Sequence, residues 1–183
     1  MLLSSVVRRA LSSPATLDGG LNAARVGVRR AFSSPATIDG GFMNAAREGG
    51  AQSLLGLLRT SSSRFDSCLS GLDVTSISSG RVTCSLTVTE SLTNSYGTLH
   101  GGAAALLVDV VGTLAALSVD PARPGVSVEM SQTFLRPAPL GMQLFIEGKC
   151  LKSGKKLAFT DVEIRANTFD GQLIVVGQHT KAL

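Results

Sequence analysis

Apolar and polar residues alternate along Arg81–Glu90, where Val82, Cys84, Leu86 and Val88 face one way and Thr83, Ser85, Thr87 and Thr89 the other. A period of two over this length predicts a half-buried strand. Gly125–Phe134 repeats the pattern, with Val126, Val128 and Met130 set against Ser127, Glu129 and Ser131. Leu144–Leu151 reads as another strand. Ser153-Gly154 turns it into Leu157–Asn167, where Ala158, Val162, Ile164 and Ala166 share a face. Asp170-Gly171 marks a further turn before Leu173–Lys181, and Leu72–Ser78 stands in front of the series. Six strands are expected.

The period changes between the second and third strands. His100–Leu117 (HGGAAALLVDVVGTLAAL) is apolar nearly all round except at Asp109. The run is at the short limit for a membrane span, and an acid at its middle would cost about 2.5–3.5 kcal/mol there. A helix apolar on all sides is otherwise a buried central helix. Leu54, Leu55, Leu57 and Leu58 form a shorter helical pattern after Gly49-Gly50. The expected fold is α+β, one sheet wrapped round one helix over residues 50–183.

Residues 1–49 are a different kind of sequence. VRRALSSPATLDGG at Val7–Gly20 recurs as VRRAFSSPATIDGG at Val28–Gly41, identical at twelve of fourteen positions. Two copies are too few to stack as a solenoid, which reads as local duplication in a disordered leader. The leader is rich in Arg, Ser and Ala and poor in acids, the profile of an organelle transit peptide. Arg-Arg-Ala followed by Leu or Phe and then Ser-Ser resembles a mitochondrial processing site, with cleavage expected near Phe32–Ser33. A mitochondrial location is expected, with chloroplast and cytosol as alternatives.

Charge and cysteine content narrow the function. Charged residues are 16% of the chain, against about 25% in average soluble domains. Of the net charge of +4, the leader holds +3 and the body only +1. A nearly neutral body argues against nucleic acid as a partner. Cys68, Cys84 and Cys150 are too few and too scattered for a disulfide framework or a metal knuckle. With only His100 and His179 as histidines, no metal site is expected. G-x-S-x-G, P-loop, G-x-G-x-x-G and H-E-x-x-H motifs do not occur.

What remains is Asn94 to Gly102 (NSYGTLHGG), leading into the apolar helix. A glycine pair opening a helix lets a ligand approach bare backbone. The first amides of a helix lack internal partners and lie at the positive end of its dipole, so they can hold a carbonyl oxygen gaining negative charge. The alternative is a plain glycine-rich turn. Asp109, buried among aliphatic residues, is costly unless hydrogen-bonded or functional, and desolvation raises a carboxyl toward the range of a general base. The alternative is an Asp paired for packing or oligomer register. Nine residues separate His100 from Asp109, roughly 13.5 Å along the axis and about 180° round it. One chain's Asp109 therefore does not serve its own helix N-terminus, and a Ser127–His100–Asp109 triad within one subunit is disfavoured. A two-fold dimer would supply two composite sites.

Asn94, Gly97-Thr98-Leu99-His100-Gly101-Gly102 and Asp109, followed by Pro124–Met130 (PGVSVEM), resemble the hotdog-fold acyl-CoA thioesterases of the PaaI-like branch. Leu151–Phe159 (LKSGKKLAF) and Gly177–Lys181 (GQHTK) extend the resemblance over about residues 52–183. It implies a hotdog fold, a six-stranded antiparallel sheet wrapped round a central helix. It also implies dimers joined edge to edge into a homotetramer, and hydrolysis of acyl-CoA with no organic cofactor or metal. By position it implies Asp109 as general base or nucleophile, Gly101 as the amide polarising the thioester carbonyl, and His100 as support for the turn. Asn94 would orient the carbonyl or the water, and Ser127, from across the dimer, would help hold that water. Lys152, Lys155 and Lys156, with Ser153, Gly154 and Leu157, resemble the basic turn that meets the CoA phosphates. Three ammonium groups beside free amides suit phosphate, though an ordinary solvated hairpin has the same look. Glu129 and Phe134 complete the implied substrate contacts. Many relatives have Tyr where this chain has Phe134, which removes one hydroxyl. An aryl-CoA thioesterase of the quinone-pathway type and a non-catalytic acyl-CoA-binding protein are the alternatives.

Overall fold

The structure, a computed structural model, describes residues 65–183 together with Gly56. The duplicated leader, its processing site and the leucines at 54, 55, 57 and 58 fall outside the described residues. Six strands follow in chain order: β1 (Asp73–Ser78), β2 (Arg81–Thr87), β3 (Val126–Phe134), β4 (Gln143–Ser153), β5 (Leu157–Ala166) and β6 (Leu173–Ala182). They form one antiparallel sheet in the order β1-β2-β4-β5-β6-β3. Between β2 and β3 the chain makes a short 3-10 turn (Glu90–Leu92) and then the central helix, Gly101–Val119. The α+β hotdog architecture expected from the sequence is the one observed.

The strand faces follow the alternation. Val82, Cys84 and Leu86 of β2, Leu144 and Ile146 of β4, and Val162 and Ile164 of β5 are buried and meet Leu107, Val108, Val111 and Leu114 of the helix. Asp120-Pro121 ends the helix, since proline cannot continue it. Among the described residues this helix is long and apolar enough to cross a membrane, but half of its apolar stretch is buried inside the protein. That is the behaviour of a core helix.

Glycine decides how closely helix and sheet meet. A methyl group added at Gly148 on β4 would lie 2.8 Å from Val111 Cγ1 and 2.9 Å from the Val111 carbonyl oxygen. At Gly177 on β6 it would lie 2.6 Å from Val108 Cγ2. On the helix side, a methyl at Gly112 would lie 2.7 Å from Thr160 Oγ1. Val108, Val111 and Gly112 lie at i, i+3 and i+4, so one stripe of the helix sits directly on strand backbone.

One strand departs from strict alternation. In the β3–β6 ladder Ser127 pairs with Lys181, but Glu129 pairs with Thr180 and Met130 with His179. The extra residue is Val128, a β-bulge. Directly opposed residues share a face, so Ser127 and Met130 lie on the helix side with Lys181 and His179. Glu129 lies on the other face with Thr180, whose hydroxyl donates to its carboxylate at 3.4 Å. The sequence alternation groups Ser127 with Glu129; the bulge separates them.

Overpacking of a close contact costs about 1–3 kcal/mol. Gly177→Ala should lose about that much stability, and Gly148→Ala more, because the backbone of Val111 cannot step aside as a side chain can. Urea unfolding followed by circular dichroism, with m held constant, measures both.

Candidate active site

The helix N-terminus is built by the loop before it. Asn94 Oδ1 accepts from the Tyr96 amide at 2.9 Å, the Thr98 amide at 3.3 Å and the Thr98 hydroxyl at 3.2 Å. Gly97 completes this turn at a φ of 72°, which favours glycine. With Oδ1 committed to the loop, the side-chain NH2 of Asn94 is its free donor. The His100 amide donates to the Leu92 carbonyl and the Leu99 amide to Ala138, which pins the entry to the helix.

His100 is the N-cap. Its Nδ1 accepts from the Gly102 amide at 2.8 Å. One free amide of the first turn is thereby used, while that of Gly101 has no partner within the helix. Gly101 lies in a hollow of about 360 Å³ with Asn94, Thr98, Leu99, Phe134, Leu135, Arg136 and Pro137. A methyl at Gly101 would lie 3.5 Å from the Phe134 ring, so the missing side chain leaves room between amide and ring. The hollow offers an oxyanion-type donor beside an apolar wall.

Asp109 lies elsewhere. Its carboxylate is 3.7 Å from His179 Nδ1 and accepts from the Thr113 hydroxyl at 3.4 Å. His179 Nε2 is 2.8 Å from Ser127 Oγ, and Lys181 Nζ donates to Thr113 Oγ1 at 2.8 Å. The resemblance implied Ser127 acting from across a dimer; within one chain Ser127 Oγ meets Nε2 of the His179 ring, whose other nitrogen faces Asp109. His100 takes no part in this cluster, as the helix arithmetic required.

Asp109 is not the buried carboxylate expected from its aliphatic neighbours, since its side chain is 42% exposed. It lies at the margin where only β3, the last strand, follows β6. The buried members are instead His179, whose side chain is fully enclosed, and Lys181, which is 5% exposed. Burial pushes the His179 pKa below its ordinary 6.5, and the neighbouring Lys181 charge pushes the same way, against the attraction of Asp109 and Glu129. Burial likewise lowers the Lys181 pKa, opposed by Asp109.

His179 and Lys181 are the residues that sequence reasoning missed. The signal available was position: the alternation that buries Val175 and Gly177 on β6 also turns His179 and Lys181 toward the helix.

The basic turn is rigidly held. The Gly154 amide donates to Leu157 O at 2.8 Å, Leu183 to Lys156 O at 2.8 Å, and Arg123 Nη1 to Lys155 O at 3.1 Å. Lys152, Lys155, Lys156 and Leu157 are exposed, with Ser153 and Gly154 partly covered. A second hollow, of about 270 Å³, opens on the outer sheet face by Phe145 and Phe169. Arg81 pairs with Glu147 and Arg165 with Glu163 across its lining, which also holds Asp170. Burial pushes the Cys84 thiol up to about 12, so it is no nucleophile at neutral pH. Among the described residues no group of three His, Cys, Asp or Glu could hold a metal ion.

The model of the thioesterase superfamily matches residues 96–168. Over 134 residues the chain is 42% identical to acyl-coenzyme A thioesterase 13 of Homo sapiens, covering 72% of this chain and 95% of that protein. Thioesterase superfamily member 2 of zebra fish superposes with a TM-score of 0.69 at 38% identity, covering 73% of this chain and 96% of that one. A hypothetical thioesterase protein of Streptococcus pneumoniae TIGR4, solved with coenzyme A, superposes with a TM-score of 0.56 at 26% identity, covering 61% of this chain and 84% of that one.

A histidine kept neutral by the fold destabilises it in acid. Below pH 6.5 the unfolded chain binds a proton that folded His179 still refuses, so stability rises with pH between the depressed folded value and 6.5. The melting temperature should therefore fall as the pH is lowered through this window. His179→Gln should flatten that part of the curve, as scanning calorimetry at a series of pH values would record.

Proposed function

This chain belongs to the thioesterase superfamily, and we propose that it hydrolyses acyl-coenzyme A thioesters to free acid and CoA. The observation that carries the reading is the division of the site. Gly101, Asn94 and Phe134 surround one hollow, Asp109, His179 and Ser127 form a separate cluster, and the two sets share no residue. A carbonyl-polarising amide and a water-activating carboxylate on one helix become a single site when two chains meet.

The edge of the sheet favours such a meeting. Among the described residues β3 pairs on one side only, and Val126, Val128, Met130 and Phe134 along it are exposed. An open apolar edge is a template for pairing with another strand. Two-fold pairing along β3 would bring each Asp109 cluster toward the partner's helix N-terminus and make a homodimer the unit of activity, with a tetramer of two dimers above it.

Chemistry follows from the assigned groups. Asp109 takes a proton from water as the water oxygen attacks the thioester carbon. Ser127 holds that water through its hydroxyl oxygen, and His179 holds the Ser127 hydroxyl in turn. The Gly101 amide and the Asn94 NH2 stabilise the carbonyl oxygen as it becomes negative. Collapse of the tetrahedral intermediate breaks the C–S bond, and the proton on Asp109 passes to the departing CoA sulfur. Lys152, Lys155 and Lys156, with Ser153, Gly154 and Leu157, take the CoA phosphates; Arg123 holds that turn in shape. Phe134 packs along the acyl group, and Glu129, on the outer face, lies toward the CoA side of the edge. The coenzyme A complex of the Streptococcus pneumoniae protein supports this ligand class. The Arg-rich, acid-poor leader supports delivery to mitochondria, with the thioesterase domain spanning residues 50–183.

Asp109→Asn should fold normally and lower kcat by roughly 10²–10⁴-fold, the loss of a general base. Thiol release from a panel of acyl-CoAs measures it, and turnover near that of the unmodified chain removes Asp109 from the mechanism. No thiol release by the unmodified chain would point to binding without catalysis. Lys155→Ala with Lys156→Ala should raise KM for acyl-CoA and leave kcat almost unchanged; an unaltered KM would place the phosphates elsewhere.

A further inference from the structure

Lys181 is an unusual residue to find under a helix. It is 5% exposed, and burying an ammonium is costly unless its charge is used or matched. Its Nζ donates at 2.8 Å to a neutral group, Thr113 Oγ1. The nearest carboxylate in this chain of contacts, that of Asp109, lies one step further, 3.4 Å from the same hydroxyl.

The bonding has only one polarity. An ammonium can only donate, so Thr113 Oγ1 must accept from it, and the hydroxyl proton is left for Asp109. The other side of Asp109 is the His179 ring, with Nδ1 at 3.7 Å. A neutral ring beside a carboxylate carries its proton on Nδ1, and Nε2 then accepts from the Ser127 hydroxyl 2.8 Å away. Asp109 thus accepts from the Thr113 hydroxyl on one flank and is faced on the other, at 3.7 Å, by His179 Nδ1, a buried atom with no hydrogen-bond partner among the described residues; the charge of Lys181 stands behind the hydroxyl. The groups facing this point are Thr113 from the helix itself, His179 and Lys181 from β6, Ser127 from β3, and Thr160 from β5 by Gly112, while the charge of Glu129 acts on His179 from the outer face.

We infer that Lys181 is a positioning residue for the hydrolysis: acting through Thr113, it holds the Asp109 carboxylate in its orientation beside the His179 ring. The inference rests on Asp109 acting as the base. Without the buried ammonium, His179 would be free to protonate and pair with Asp109, which would divert the carboxylate from water. The charge repulsion between Lys181 and His179 acts in the required direction.

The test is Lys181→Met, which keeps the length of the side chain and removes its charge. The chain has two histidines, so His100→Asn assigns the imidazole resonances in NMR. The His179 titration should move upward by about one pH unit, and the acid limb of kcat should move upward with it, since one unit is a tenfold change in protonation. On the acid limb that would lower kcat about tenfold at a given pH, with KM unchanged and turnover recovered in alkali. Thr113→Val gives a second arm should the first variant not fold: it should lower kcat on the pH plateau, because Asp109 loses its orienting hydroxyl, while leaving the His179 titration in place. Superimposable titrations and acid limbs in Lys181→Met and the unmodified chain would overturn the inference, as would a plateau kcat unchanged in Thr113→Val. The NMR titration needs no turnover, so it separates this outcome from failure of Asp109→Asn to lose activity, which would sink the base assignment instead.

Discussion

The close seating of the central helix on bare strand backbone is the constraint on which the rest depends. Val111 and Val108 approach Gly148 and Gly177 so nearly that an added methyl would come within 2.8 Å and 2.6 Å of them. Side chains at those positions would lift the helix. Asp109 follows Val108 and Thr113 follows Gly112, so the same contacts set how far the reactive flank stands from β6. Only at this separation do a carboxylate on a helix and an imidazole on a strand come within 3.7 Å. Packing density in the core and geometry in the site are therefore one property, because a tightly packed interior transmits displacement rather than absorbing it.

Charge is arranged against the usual preference for solvent. The acid is partly exposed at the sheet margin, while the histidine and the lysine beside it are enclosed. Burial and the charge of Lys181 both push the His179 pKa below its ordinary value. The ammonium finds a hydroxyl and, through it, the carboxylate; the imidazole keeps its hydrogen bond to Ser127. A small polar network of this kind is stable only when each member has a defined donor or acceptor role.

The bulge at Val128 has a consequence out of proportion to one residue. It turns Ser127 and Met130 to the helix side and sends Glu129 to the outer face. Without it, strict alternation would put Ser127 and Glu129 together and place a second carboxylate beside Asp109, where like charges would compete. The bulge also lies on an edge strand whose outer edge, among the described residues, is unpaired and apolar. Local backbone irregularity thus serves both the chemistry of one chain and the surface it offers another.

The order of six strands along the chain, their approximate ends and the interruption by one long apolar helix were legible because side-chain periods of two and 3.6 are local properties. So was the separation of His100 from Asp109, since turning nine residues along a helix needs no knowledge of its surroundings. The Asn94 to Gly102 turn was recognisable for the same reason, since the Asn94 and His100 side chains bond only residues two to four positions along the chain. What lay beyond the sequence depended on partners distant along the chain. His179 and Lys181 were visible as inward positions on a strand but not as neighbours of Asp109, some seventy residues away. The exposure of Asp109 reflects which strand comes last in the sheet, and the face of Ser127 reflects an extra residue that no alternation predicts. Periodicity specifies which side of an element is apolar; only the folded sheet decides which elements those sides meet, because register and strand order are settled by packing over the whole domain.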